Sequence, residues 1–421
     1  MISSKQVAAA VIILDECGVF RRKKNRKKRE MWAKNWLLSR DRFTHLNLLN
    51  FIRNDRPDDY KNYFRMSDEN FRYLLAKVKP FIVKQDTVMR NAITPEARIA
   101  ATLRFLATGW SFEDLKFATI ISPQALGKII PETCKAIYKA LKDEYLKFPT
   151  SSVEWQNIAK DFESMWNFPN CGGALDGRHV AIVKPANEGS YYFNYKGYHS
   201  VVLLGLVDAN LTFIMADVGC NGRVSDGGGI EETTFYRTLK NGALALPKND
   251  DTVGNMNFVF VADEAFALRE NILKPFPCKD LTHEKQIFNY RLSRARRCAE
   301  NAFGVLAARF RIFHTTINMQ PLKVNDIVMA CVVLHNFLRR NHGTQYTPGS
   351  MLDREDLEDT DVVEGDWRNE QPEGHFDMIC SVRQVTPATE VSASRDKYVE
   401  YFNGPGKVPF QNRMVGNRLV R

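Results

Sequence analysis

Asp176, Asp263 and Glu300 are the residues whose types and placement could do chemistry. Asp176 lies within Cys171-Gly-Gly-Ala-Leu-Asp176-Gly-Arg-His-Val-Ala-Ile-Val183, Asp263 follows the apolar run Phe258-Val-Phe-Val-Ala262, and Glu300 falls in an arginine-rich stretch. Carboxylates brought together offer hard oxygen ligands to Mg²⁺ or Mn²⁺. Two such cations about 3.5–4 Å apart neutralise the attacking and leaving oxygens of a phosphodiester during cleavage. Each acid also has a plainer reading. Asp176-Gly177 reads as a turn, Asp263 as a helix cap, and Glu300 as an ion-pair partner of Arg296 or Arg297 on a solvated helix face. The case for chemistry therefore rests on the elements that would bring the three together.

From about residue 170 the pattern reads strand, Asp-Gly feature, strand; then a strand from His199 to Val207, a turn at Asp208-Ala-Asn, and a return strand from Leu211 to Val218. A glycine-rich loop (Gly219 to Gly229), a helix near Glu231 to Leu239 and a short buried strand ending at Asp263 follow. Long helices are predicted over Asn289 to Phe310 and Val324 to Arg340. Antiparallel strands, a helix, then a parallel strand is the ribonuclease-H-like order, in which the first and fourth strands lie side by side. On the first long helix, Leu292, Ala295, Ala299, Phe303, Leu306 and Phe310 form an apolar stripe, and Glu300 lies at its margin near Arg296 and Gly304. Arg291, Arg294, Arg296, Arg297, Arg309 and Arg311 make this helix a candidate phosphate cradle. The expected division of labour gives one metal to Asp176 and Asp263, to activate water or a DNA 3′-hydroxyl. A second goes to Asp176 and Glu300, at the leaving oxygen.

Upstream, residues 66–150 read as helical. Ser67, Ser111 and Ser122 stand at helix starts, Pro95 opens another helix, and Gly109 stops it. Short helix, tight turn and longer helix outline a helix-turn-helix, offering Gln124, Lys128 and Lys135 to a DNA groove; a plain helical bundle gives the same pattern. The fold class is thus α/β, a ribonuclease-H-like mixed sheet with flanking helices over 165–340, preceded by an all-α, helix-turn-helix-like region over 66–150. Residues 1–40 form a basic arm with the run Arg21 to Arg29, a candidate nuclear import signal or phosphate-binding arm. Residues 343–421, acidic from Asp353 to Asp366 and rich in Pro, Gly, Ser and Thr, read as a largely flexible tail.

The whole chain has 421 residues and a formal net charge of +10, which favours polyanionic partners such as DNA. The cysteines are scattered without a CxxC pair, against a zinc finger. No signal peptide or uninterrupted apolar membrane span is expected, which points to nucleus or cytoplasm. Phosphate-binding loops of the GxGxxG or GxxxxGK(S/T) type and nucleophile elbows are absent. His179 and His199 read as packed strand histidines more readily than as ligands, and Lys196 and Arg178 as candidate backbone contacts.

Leu175-Asp-Gly-Arg-His-Val180, Tyr195-Lys-Gly-Tyr-His-Ser200, Ala262-Asp-Glu-Ala-Phe266 and Ala299-Glu-Asn-Ala-Phe-Gly-Val-Leu306, with Arg309-Phe-Arg311, together resemble the PIF/Harbinger DDE transposases and their domesticated nuclease relatives. Trp32, Trp36 and Val333-Leu-His-Asn-Phe-Leu338 add to the likeness. The resemblance implies metal-dependent cleavage and, in a transposase, joining of DNA, with Asp176, Asp263 and Glu300 as the acidic triad. It also implies a further metal-site aspartate in the glycine-rich loop, matched by Asp226, with Asp217 as a nearby rival. A nuclear location, a separate Myb-like DNA-binding partner and a homodimer pairing two DNA ends are implied as well. The alternative is a catalytically silent DNA- or chromatin-binding scaffold. In the second motif the family's usual glycine after the acid is replaced, leaving Glu264-Ala265-Phe266.

Overall fold

The computed structural model describes residues 35–88, 91–186, 188–222, 230–231, 233–277, 281–356, 361–370, 374–378 and 389–416. The described residues begin with short helices α1 (Asn35–Leu38), α2 (Arg40–Phe43), α3 (His45–Asp55) and α4 (Pro57–Phe64), then α5 (Asp68–Ile82), α6 (Pro95–Thr108), α7 (Phe112–Thr119) and α8 (Pro123–Tyr145). The last four start where a hydroxyl accepts an otherwise unpaired amide: Ser67 from Asn70, Thr94 from Ala97, Ser111 from Asp114 and Ser122 from Ala125. Gly109 ends α6 in the left-handed conformation, where a side chain would be strained. Helix α9 (Ser152–Trp166) begins with a reciprocal Ser151–Glu154 capping box and leads into the sheet.

The sheet is built from β1 (Cys171–Ala181), β2 (Ser200–Val207) and β3 (Phe213–Asn221), then, after α10 (Thr234–Lys240), β4 (Val259–Val261) and β5 (Ile272–Leu273). Two long helices follow, α11 (His283–Arg309) and α12 (Pro321–Tyr346), then β6 (Arg354–Asp356), β7 (Asp361–Val363), β8 (Phe376–Met378), α13 (Thr389–Asn403) and α14 (Gln411–Gly416). The strand order is β3-β2-β1-β4-β5; the first three strands are antiparallel, while β4 and β5 run parallel to β1. This is the expected α/β class, a mixed sheet behind an all-α region. Asp176-Gly177 makes no turn. Strand β1 runs through it, buried throughout, because β2 pairs with it residue by residue from Ala174 to Ala181.

One apolar core runs from Leu49 in α3 to Val415 in α14, so the helical region and the sheet share an interior. A second cluster, centred on Trp155, Leu204, Phe235 and Phe260, covers the other sheet face. Asn336 of α12 knits the parts together: its amide donates to the carbonyls of Tyr145 and Phe213 and accepts from the Phe213 N–H. Helix α12 is long and apolar enough to cross a membrane, and its apolar window is 67% buried in this core.

The flexible tail expected over 343–421 is corrected for its described residues. Strand β8 pairs with β1, Tyr398 and Phe402 are fully buried beside Phe168, and the indole of Trp367 lies on α11. Its polar, acidic composition hid these few apolar anchors. The basic run Arg21 to Arg29 lies outside the described residues.

Candidate acidic site on one face of the sheet

Alternate residues of a strand share a face. Asp176 pairs with Gly205, and a Cβ on Gly205 would stand 2.9 Å from the Phe303 ring of α11, so Asp176 lies on the α11 face. Ala174 pairs with Val261 in parallel β4; two residues further along each chain stand Asp176 and Asp263. Among the described residues no strand covers this edge of β1 between Ala174, held by β4, and Arg178, where β8 begins. The two aspartates thus meet at an opening in the sheet, at the carboxyl end of β4, where open α/β sheets commonly bind ligands. Glu300 reaches the same place from α11.

Arginines knit the acids together. Arg178 Nε donates to Asp176 Oδ2 at 3.3 Å, both side chains being almost wholly buried. Arg296 Nη2 lies 3.9 Å from Asp263 Oδ2 and 3.5 Å from Glu300 Oε1. Arg368, after β7, is 3.6 Å from Glu300 Oε2 and 2.5 Å from Asp353. Asp263 Oδ1 accepts the Ala265 amide at 2.8 Å. Burial pushes the Asp263 carboxyl up to about 6; the Asp176 charge adds to this, while Arg296 and the Ala265 N–H pull it back. An acid raised by burial and standing beside a second acid is a frequent mark of a functional site.

Carboxylate oxygens suit a hard divalent cation. As the side chains stand, no three His, Cys, Asp or Glu groups among the described residues converge closely enough to hold one. Arg296 lies within ion-pair distance of both Asp263 and Glu300 and supplies the balancing positive charge that a bound cation would otherwise provide. The donor chemistry therefore fits, provided the arginine yields.

Asp226 lies outside the described residues. Asp217 pairs with Leu204, whose side chain belongs to the cluster on the other face, so Asp217 sits across the sheet from Asp176. The phosphate cradle expected on α11 is corrected. Arg291 is buried and bonded to Gln411 and to the carbonyls of Asn167 and Gly406; Arg294 and Arg297 pair with buried Glu355; Arg309 holds the Tyr346 carbonyl; and Arg311 pairs with Glu370. The sequence counted charges, but the partners come from the segment read as a tail. Arg178 is likewise internal, and Lys196 is 3.5 Å from Asp377. His179 is the packed histidine expected, its Nδ1 3.0 Å from Ser200 Oγ; burial lowers it to about 4. His199 rests edge-on against Phe193.

Sequence reasoning missed Arg368 and the strap that carries it. Gly304 was the available signal: a Cβ there would stand 2.2 Å from the Trp367 ring, so glycine admits the indole. Asn301 Oδ1 accepts from Trp367 Nε1 at 3.1 Å and from the Asp353 N–H at 2.8 Å, and its Nδ2 donates to the Asp353 carbonyl at 3.1 Å. Glu300, Asn301 and Gly304 thus form one docking edge on α11.

Residues 175–336 match the DDE superfamily endonuclease family. The chain is 25% identical over 302 residues to the mouse (Mus musculus) candidate nuclease HARBI1, covering 71% of this chain and 82% of the relative. It is 25% identical over 290 residues to the frog (Xenopus laevis) protein of the same name, covering 65% and 80%. It is 23% identical over 305 residues to the Arabidopsis thaliana protein named antagonist of like heterochromatin protein 1, covering 68% and 76%. No solved structure matches the chain. With a DDE endonuclease domain spanning the three acids in the expected order, the chain is a relative of the Harbinger-type DDE transposases.

Proposed function

We propose that this chain is a divalent-metal-dependent DNA nuclease or transposase whose catalytic carboxylates are Asp176, Asp263 and Glu300. The observation that carries the reading is the sharing of Arg296 by Asp263 and Glu300 at the opening of β1 that also holds Asp176. Mg²⁺ or Mn²⁺ held by these acids would supply charge neutralisation at the scissile phosphate and an acidified nucleophile. Asp176, fixed on a central strand, is the rigid reference of the set. Asp263, its charged form disfavoured by burial, gains most from a cation. Glu300 is steered from two sides by Arg296 and Arg368. Asp226, from the glycine-rich loop, is proposed as a further ligand.

The helical region over 66–150 and the basic arm would hold DNA, which the charge of +10 favours. A nuclear location, a homodimer and a Myb-like partner belong to the same proposal. The test is cleavage of supercoiled plasmid with Mg²⁺ or Mn²⁺. The parent chain is expected to nick or cut it, and Asp176→Ala to bind the plasmid equally but leave it intact. The second reading, a non-catalytic DNA- or chromatin-binding scaffold, draws on the arginines that already neutralise the acids and on the heterochromatin-related name of the plant relative. Binding without cutting by either protein would favour it.

A further inference from the structure

Glu300 has an arginine at each oxygen, and the two arginines are held very differently. Arg296 Nη2 lies 3.5 Å from Glu300 Oε1 and 3.9 Å from Asp263 Oδ2, both longer than a good charge-assisted hydrogen bond. Among the described residues these two acids are its only ion-pair partners, and its buried Nε has no hydrogen-bond partner. A buried donor left unmade is costly, and the residue is partly exposed, so its long side chain has water to turn into.

Arg368, in the strap after β7, is fastened from several sides. Its Nε donates to Asp353 Oδ1 at 3.0 Å and to Oδ2 at 3.1 Å, and its Nη2 to Oδ2 at 2.5 Å. Asp353 is itself buried, accepts the Gly365 N–H at 2.8 Å and donates its own N–H to Asn301 of α11. The guanidinium also lies over the Trp367 ring, 4.4 Å from its centroid. From this seat Nη2 stands 3.6 Å from Glu300 Oε2. Its charge is committed to Asp353, whereas that of Arg296 serves only the acids of the site.

We infer that the two arginines have opposite duties. Arg296 is a resident counter-ion that leaves when a divalent cation enters, freeing Glu300 Oε1 and Asp263. Arg368 is a positioning residue that stays on Oε2 and keeps Glu300 turned towards the aspartates. This rests on the cation site proposed above and assigns that site a built-in competitor and a fixed support.

The experiment measures Mn²⁺ affinity of the full chain, without DNA, from the electron paramagnetic resonance of the free ion at pH 8, where protons compete least. Arg296→Gln should bind Mn²⁺ about tenfold more tightly, the scale of one arginine's hold on a neighbouring carboxylate. Its melting temperature should fall without metal and recover with it. Arg368→Gln should bind about tenfold more weakly. Arg368→Lys, which keeps a cation beside buried Asp353 but not the planar fork, should also bind more weakly. Charge alone predicts that removing either arginine tightens binding, so opposite signs identify positioning. In a Glu300→Gln background, Arg368→Lys should cost nothing further, because it acts through Glu300; a general loosening of the fold would still cost affinity there. Variants that shift affinity in the same direction, or an undiminished effect of Arg368→Lys without Glu300, overturn the inference and leave the nuclease reading standing. A parent chain that takes up no Mn²⁺ overturns both.

Discussion

Asp263 sits in an environment that works against its charge. Its carboxyl is raised to about 6, above the ordinary value of 3.8, chiefly by burial. The folded chain therefore keeps a proton that the unfolded chain has released, and ionised Asp263 lowers stability as pH rises from about 4 through 6. Asp263→Asn should raise the metal-free melting temperature at pH 7, corresponding to on the order of 1 kcal/mol, and should abolish stabilisation by Mn²⁺. Scanning calorimetry with and without Mn²⁺ checks both; a variant less stable than the parent without metal would contradict this account of the residue. His335 works in the opposite sense. Its Nε2 faces the Leu211 carbonyl at 2.9 Å and so carries the proton, leaving Nδ1 to accept from Tyr346 OH. Burial lowers it to about 4 from 6.5. Stability is full above pH 6.5 and is lost as pH falls towards 4, where the unfolded chain takes up a proton that the folded chain refuses. Urea unfolding at pH 5 and pH 7 should show the loss, and His335→Gln should make it smaller.

At the scale of elements, α11 carries Glu300 of the proposed site and, through Asn301 and Gly304, the edge on which Trp367 docks. Gly304→Ala would drive a methyl into Trp367 and lift the strap, at a cost of about 1–3 kcal/mol. Adding Trp367→Ala should recover part of that loss, so the two changes will not be additive in a denaturation cycle. Helix α12 has its own anchor: Asn336→Ala would leave the Phe213 N–H and the carbonyls of Phe213 and Tyr145 unpaired in the interior, costing about 2–4 kcal/mol, and urea denaturation reads it. The elements themselves were largely legible. Ser67, Ser111 and Ser122 start helices by a mechanism visible in one dimension, and Gly109 ends one in an equally visible way. That the strands leading to Asp176 and Asp263 are neighbours was legible too, because strand order alone sets it. The arginines of α11 were not legible. Their partners Glu355, Gln411 and the Gly406 carbonyl lie up to 120 residues away in sequence, in a segment whose composition suggests disorder. Nor could the alternation of β1 through Asp176-Gly177 be told from a turn until β2 was seen to pair across it.

Across the whole molecule, a single interior joins the helical region to the sheet, so DNA bound as proposed would be held by both as one body. The excess of basic charge should make binding steeply salt-dependent. Removing residues 1–34, which include the run Arg21 to Arg29, should flatten the slope of log affinity against log salt. An unaltered slope would show that the arm does not meet phosphate.

The most direct test is Mn²⁺ binding, followed by electron paramagnetic resonance of the free ion and needing no turnover. The parent chain is expected to take up Mn²⁺, while Asp176→Asn, Asp263→Asn and Glu300→Gln, each folded by circular dichroism, should each lose about tenfold or more in affinity. Uptake by the parent that all three variants retain unchanged, or no uptake at all, would contradict a cation site built from these three carboxylates.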